Sequence, residues 1–206
     1  MPQIEEFQRR IPGIIGSERN KEYAVLIPIL ETDSGPALLF EKRANNLNHQ
    51  PDEICFPGGK LEPDESLLEC AVREAAEELL ISEDQIEILG PGDLYISPFN
   101  LVIHPYIGYV KDYKKTFSRD EVAEILLVPL QYFMTTVPEI YHNCLMNVPT
   151  EDFPYERIPG GEKYPWAKGI YDIMFYMYED QIIWGMTAHI ARSAVELIAQ
   201  YDLIRN

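Results

Sequence analysis

Apolar residues cluster at 23–30 and again at 37–43, with Glu31-Thr32-Asp33-Ser34-Gly35-Pro36 between them. Two β-rich runs around such a turn cluster predict a hairpin-like pair of strands. A short run, Ile54-Cys55-Phe56, leads into Pro57-Gly58-Gly59, and from about Ser66 the period changes. Side chains there fall about 100° apart, which places Leu68, Val72, Ala75 and Leu79 on one helical stripe with Ala71 at its edge. Glu74, Glu77 and Glu78 gather on a different face of that helix.

Further along, 85–89 and 95–96 are short strand candidates, 102–110 is a longer one interrupted by Pro105, and 121–128 is extended and apolar. Residues 129–135 suit a short helix with proline in its first turn. From 138 to 166 no period is sustained; the stretch carries five prolines, several aromatics and a Gly-Gly pair, so an ordered insertion or lid is expected there. Residues 170–178 pair with 182–184 across Glu179-Asp180-Gln181, and 186–203 form a long amphipathic helix. Residues 1–20 are an irregular or helical lead-in. The pattern predicts an α/β fold, a mixed β-sheet sandwiched between helices.

Composition changes the picture mainly through charge. The 206 residues contain 34 acidic and 17 basic side chains, a net charge of −17. Nucleic acid and anionic membrane are thereby excluded as partners, so an anionic small molecule must be met by local positive charge. The length suits a single domain over 1–206, with a core of about 22–200. Cys55, Cys70 and Cys144 form no CxxC pair and fit free thiols in a reducing compartment. No signal-peptide pattern opens the chain, which makes the cytoplasm the expected location. Association as a homodimer is left open.

Three carboxylates within one helical turn repel one another by roughly 0.2–0.5 kcal/mol per exposed pair. A solvated acidic face is the plain interpretation of Glu74, Glu77 and Glu78. A hard divalent cation would reverse the sign of the interaction, since it prefers oxygen ligands. Arg73, beside Glu74 and four residues before Glu77, is placed to steady the cluster.

The spacing is more telling than the cluster. Gly59, five residues, Glu65, seven residues, then Arg73-Glu74-Ala75-Ala76-Glu77-Glu78-Leu79-Leu80-Ile81 resembles the Nudix box, GX5EX7REUXEEXGU. Ala75 stands for the bulky aliphatic and Leu80 for the last glycine, where a C-cap favours left-handed backbone. The resemblance implies the Nudix fold and hydrolysis of a nucleoside diphosphate linked to another moiety. It implies Mg²⁺ or Mn²⁺ held by Glu74, Glu77, Glu78 and the Gly59 carbonyl, with Arg73 orienting the carboxylates. Glu77 is the first choice for general base and Glu121, outside the box, the second. Arg43, Lys42 and the Gly58 turn are assigned to the diphosphate.

The flanking text is similar to coenzyme A pyrophosphatases over about 22–200: 38–43 with Leu47 and Phe56-Pro57-Gly58-Gly59, then Pro105-Tyr106-Ile107-Gly108 and Ile183-Trp184-Gly185-Met186-Thr187-Ala188. The substrate implied is coenzyme A or a derivative, cleaved to 3′,5′-ADP and 4′-phosphopantetheine. The upstream signature of that subfamily, LRxHxGxxxFPGG, is altered: Asn48 replaces the arginine, Gln50 the histidine and Asp52 the glycine. Those changes favour ADP-ribose or NADH as the alternative substrate. A nucleotide sensor without catalysis is the reading from another class.

Overall fold

The computed structural model describes residues 2–47 and 49–204, so Asn48 lies outside the described residues. The hairpin is present as β1 (Lys21–Thr32) and β2 (Gly35–Arg43), antiparallel from Ile29↔Leu38 to Thr32↔Gly35. Thr32 closes the turn by donating its hydroxyl to the Gly35 carbonyl at 2.6 Å. Next come β3 (Ile54–Cys55), β4 (Gly58–Lys60), β5 (Ile86–Pro91), β6 (Tyr95–Ser97), β7 (Leu101–Val110) and β8 (Val122–Pro129). The path of the mixed sheet is β3-β2-β1-β7-β5, with β4 on β1, β6 on β7 and β8 on β2. β1 and β7 are parallel over nine residue pairs, and the crossover that parallel strands require includes the box helix.

Among the described residues four α-helices accompany the strands: α1 (Pro2–Gln8), α2 (Leu67–Leu79), α3 (Leu130–Thr135) and α4 (Gly185–Gln200). Helices cover both faces of the sheet, which explains the unbroken apolar text of β1. Leu26 and Leu30 face α2 through Leu39, Ala75, Leu79 and Val110. Ile27 and Ile29 face the opposite layer, with Leu38, Phe40, Ala191 and Ile198. The expected α/β arrangement, a mixed sheet between helices, is what the chain forms. Among the described residues no helix is long and apolar enough to cross a membrane.

Four local expectations need correction. The buried stripe of α2 is Cys70, Ala71, Ala75, Glu78 and Leu79, while Leu68 is 37% exposed. Small side chains let the helix lie close against Ala24 of β1, and that contact outweighs the longer Leu68. Pro105 does not interrupt β7. Its carbonyl accepts the Gly92 N–H on the side between the pairing of β5 and that of β6, so the missing proline N–H falls in a gap of the ladder.

The stretch 138–166 contains a strand, β9 (Glu139–Met146), which pairs with β10 (Lys168–Tyr178); β11 (Gln181–Trp184) completes a second, three-stranded sheet. Almost every β9 residue is exposed, so no alternation of burial marks it in the sequence. Helix α4 stops at Gln200, short of 203, because Asp202 adopts φ +50 and returns the Leu203 N–H to the Ile198 carbonyl at 3.0 Å.

Helix α2 is closed at both ends. A capping box starts it: Ser66 accepts the Glu69 N–H at 3.2 Å, and Glu69 accepts the Ser66 N–H at 2.7 Å. At the other end Leu80 takes φ +52, ψ +51, and its N–H bonds the Ala76 carbonyl. A left-handed backbone costs an L-residue roughly 1–2 kcal/mol, part of which glycine's greater unfolded freedom offsets. Leu80 is 58% exposed and gives little packing in return. Leu80→Gly is therefore expected to stabilise the protein by about 1 kcal/mol, raising the thermal midpoint by about 2–4 °C in circular dichroism.

Candidate active site

The box turn is clamped between β1 and α2. The Leu26 N–H bonds the Pro57 carbonyl at 2.9 Å, and buried Phe56 stacks on Phe40 at 4.5 Å between ring centroids. A Cβ on Gly58 would meet the Ala24 carbonyl and Val25, and one on Gly59 would enter the Glu74 carboxylate. Both glycines are thus set by close approach of neighbours.

Above the turn, Arg73 acts as a spacer among carboxylates. It donates from Nε and Nη2 to Glu65 at 3.0 and 2.9 Å, and from Nη1 to Glu74 at 2.9 Å. A longer contact of 3.5 Å reaches Glu77. Glu65 also accepts the Glu62 N–H at 2.7 Å, tying the loop before the helix to the box. The Arg73 fork holds Glu65 well below the usual carboxylate range, at about 2.

Beneath the turn the charge is buried. Glu78 is 6% exposed and accepts the Gly58 N–H at 2.8 Å. Glu41, near the end of β2, is 1% exposed; its Oε1 accepts the Cys55 thiol at 3.5 Å, and its Oε2 has no hydrogen-bond donor among the described residues. Burial, then mutual repulsion, lifts the Glu78 carboxyl well above its ordinary range, and burial does the same to Glu41. Burial raises Glu74 too, against the pull of Arg73. Glu121 adds to all three effects, so the fold brings it beside the box although its own side chain is exposed. Its loop is tied there: the Ser118 N–H bonds the Glu78 carbonyl and the Ala44 N–H bonds the Glu121 carbonyl, both at 2.8 Å.

Glu77 is 60% exposed and, among the described residues, held by the long Arg73 contact. Among the described residues no three His, Cys, Asp or Glu side chains converge as a closed cage. Glu74 is turned to Arg73 and Glu78 to Gly58. The donor set is nonetheless all oxygen, and the partnerless Glu41 Oε2 is a buried acceptor that a cation would satisfy. The residues present fit a hard divalent ion.

On the far side of the Gly58-Gly59 turn lies a cleft of about 470 Å³ lined by Arg43, Cys55, Tyr23 and Met186. It shares Tyr23, Gln50, Glu53 and Met186 with a larger cavity of about 760 Å³, whose outer wall is Phe99, Cys144, Tyr171 and Trp184. Arg43 lines only the smaller cavity, its Nε donating to the His49 carbonyl at 3.3 Å. Lys42 lines neither cavity, and the β2–β8 register shifts between it and Arg43. Gln50 and Asp52 take φ +51 and +61, so Asp52 adopts a left-handed backbone where the resembled signature has glycine.

Two parts of this site escape sequence reasoning. Glu41 lies 37 positions before Glu78, and as text it opens the charged end of β2, Glu41-Lys42-Arg43, with nothing to mark it as buried. The cavity wall from β9 comes from the stretch that shows no period.

Residues 20–143 match the NUDIX domain family, more than half of the chain. The peroxisomal coenzyme A diphosphatase NUDT7 of Mus musculus is 31% identical over 136 residues, covering 65% of this chain and 57% of that protein. The chain thus spans little more than half the length of that relative. An uncharacterised Nudix hydrolase, NudL, of Yersinia pestis (strain Pestoides F) is 31% identical over 185 residues, covering 89% of this chain and 82% of that one. Among solved structures, a MutT/nudix family protein from Enterococcus faecalis aligns over 97% of this chain and 68% of its own, with a TM-score of 0.51 at 13% identity, a likeness of fold. With the box turn, the acidic helix and the mixed sheet in place, the chain belongs to the Nudix hydrolase family.

Proposed function

We propose that this protein hydrolyses the diphosphate of coenzyme A or a close derivative, giving 3′,5′-ADP and a 4′-phosphopantetheine species. The observation that carries the reading is a two-lobed cavity whose smaller lobe holds Arg43 beside the glycine turn that bears the acidic helix. A bipartite substrate with a central diphosphate suits that shape. The likeness of the flanking segments to coenzyme A pyrophosphatases and the name of the mouse relative support the same substrate. The altered loop text at Asn48, Gln50 and Asp52, of which Gln50 lines both lobes, favours ADP-ribose or NADH as the second reading.

Glu74, Glu77, Glu78 and the Gly59 carbonyl would hold Mg²⁺ or Mn²⁺, which supplies neutralising charge at the phosphate oxygens and acidifies a bound water. The protein's own residues do the rest. Arg43 presents a guanidinium fork to the diphosphate in the smaller lobe, and the turn at Gly58 lets the backbone approach. Arg73 keeps Glu65 and Glu74 from repelling, so the acidic side chains stay in place. Glu77, exposed and weakly held, takes the proton from the attacking water; Glu121 is the alternative carboxylate for that role. Strand β9, in the stretch expected to be a lid, supplies a wall of the larger lobe through Asn143, Cys144 and Leu145.

With Mg²⁺ or Mn²⁺ present, coenzyme A is expected to be consumed ahead of ADP-ribose, NADH, diadenosine polyphosphates and dNTPs, with 3′,5′-ADP appearing on chromatography. Intact coenzyme A beside consumed ADP-ribose would overturn the substrate while leaving the hydrolase reading. Glu77→Gln should lower kcat by about 10²–10⁴-fold while nucleotide affinity, measured by calorimetry, is retained. Unchanged turnover would move the base to Glu121, and no turnover in the wild type with tight nucleotide binding would favour the sensor.

Without metal, Glu41, Glu74 and Glu78 have raised folded-state pKa values and retain protons that the unfolded chain releases. Their contribution is present below the unfolded carboxylate pKa and is lost as pH rises. Chelator-treated protein should therefore unfold at lower urea concentration at about pH 9 than at about pH 5, and Glu78→Gln should flatten that trend. A midpoint that rises with pH would refute it.

A further inference from the structure

Glu41 belongs to no part of the box, yet its carboxylate sits beneath it. β2 carries it into the interior at 1% exposure, where Leu38, Leu39 and Phe40 precede it with no exposure at all. An isolated carboxylate in such surroundings carries a desolvation cost of several kcal/mol unless it is neutralised or bonded. The bonds available are poor. Oε1 accepts one long thiol contact from Cys55, and Oε2 accepts nothing. Glu78, within hydrogen-bonding reach, is a carboxyl that brings no cationic charge, and Glu121 adds repulsion. Arg43 is a cation whose field reaches it.

We propose that Glu41 is a further ligand of the divalent cation, its unpartnered Oε2 completing from β2 the donor set that Glu78 offers from α2. The inference rests on the metal-dependent reading above and adds to it a residue from outside the box. Three features converge on it. The atom is a buried oxygen acceptor without a donor; it lies beside Glu78, which the Gly58 N–H holds; and Cys55 Sγ fixes the other oxygen, so Oε2 is the free one. An oxygen anion from the strand would let the cation be gripped from two elements that pack on each other. A plain structural role is harder to sustain, because a leucine or glutamine at this place would cost less to bury.

The test uses the intact chain and Mn²⁺ alone, titrated by electron paramagnetic resonance of the free ion, with water-proton relaxation reporting the waters kept by the bound ion. Wild type, Glu41→Gln, Glu41→Leu and, as a reference, Glu78→Gln are compared. The expected result is Mn²⁺ affinity weakened at least about tenfold in both Glu41 variants, with one more bound water per ion as solvent replaces the lost oxygen. Metal-free Glu41→Leu should be at least as resistant to urea as wild type, which separates a lost ligand from a damaged fold. Unchanged affinity and hydration in the Glu41 variants, with Glu78→Gln impaired, would overturn the assignment and leave the metal site standing. Weakened affinity with unchanged hydration would also overturn it, reducing Glu41 to a support for Glu78. A wild type that takes up no Mn²⁺ would defeat the metal-dependent reading itself, and with it this inference.

Discussion

The structure depends on burying carboxylates where an acidic chain would least tolerate them. Glu78 and Glu41 are driven together under the Gly58-Gly59 turn, with one backbone N–H and one thiol as their hydrogen-bond donors. Carboxylates in an apolar interior are held only if protonated, bonded or neutralised by a cation. The surrounding fold is what overcomes this resistance. Ala24, Ala71 and Ala75 bring α2 onto β1, Phe56 stacks on Phe40, and Gly58 leaves no room for any side chain. The same packing that stabilises the core positions the charge.

A second set of contacts prevents the remaining acids from undoing that arrangement. Arg73 reaches Glu65, Glu74 and Glu77 at once, converting what would be like-charge repulsion into a fork of hydrogen bonds. The loop after β7 is tied back to the end of α2, as Thr116 donates to the Leu79 carbonyl at 2.7 Å and the Ser118 N–H to that of Glu78. Those bonds satisfy helix-end carbonyls and also deliver Glu121 to the cluster. Structure and candidate chemistry use the same residues here.

The second sheet answers a different requirement. Its inner side chains Met174, Tyr176 and Ile183 join the core beside α4, while Trp184 stacks on Phe175 at 5.8 Å and borders the larger cavity. Tyr95 and Tyr171 share a hydroxyl contact of 2.5 Å that links the two sheets. The mixed sheet with α2 thus carries the acidic turn, and the smaller sheet shapes a wall of the larger cavity.

The order of residues was enough to determine the box turn, the helix that follows it and the strand pairs with clear periods, because those features depend on local spacing. At Leu80, where leucine occupies the place of a glycine, the text left two helix endings open, and the structure takes the left-handed one. Burial is another matter, since it is set by partners distant in the chain. Glu74, Glu77 and Glu78 are equivalent as text, yet one is bound by arginine, one open to solvent and one enclosed. Glu41 acquires meaning only when β2 and α2 meet across 37 positions, and β9 becomes a strand only because β10 offers it an edge. Local rules choose the elements, but which oxygen loses its water is decided when the layers close.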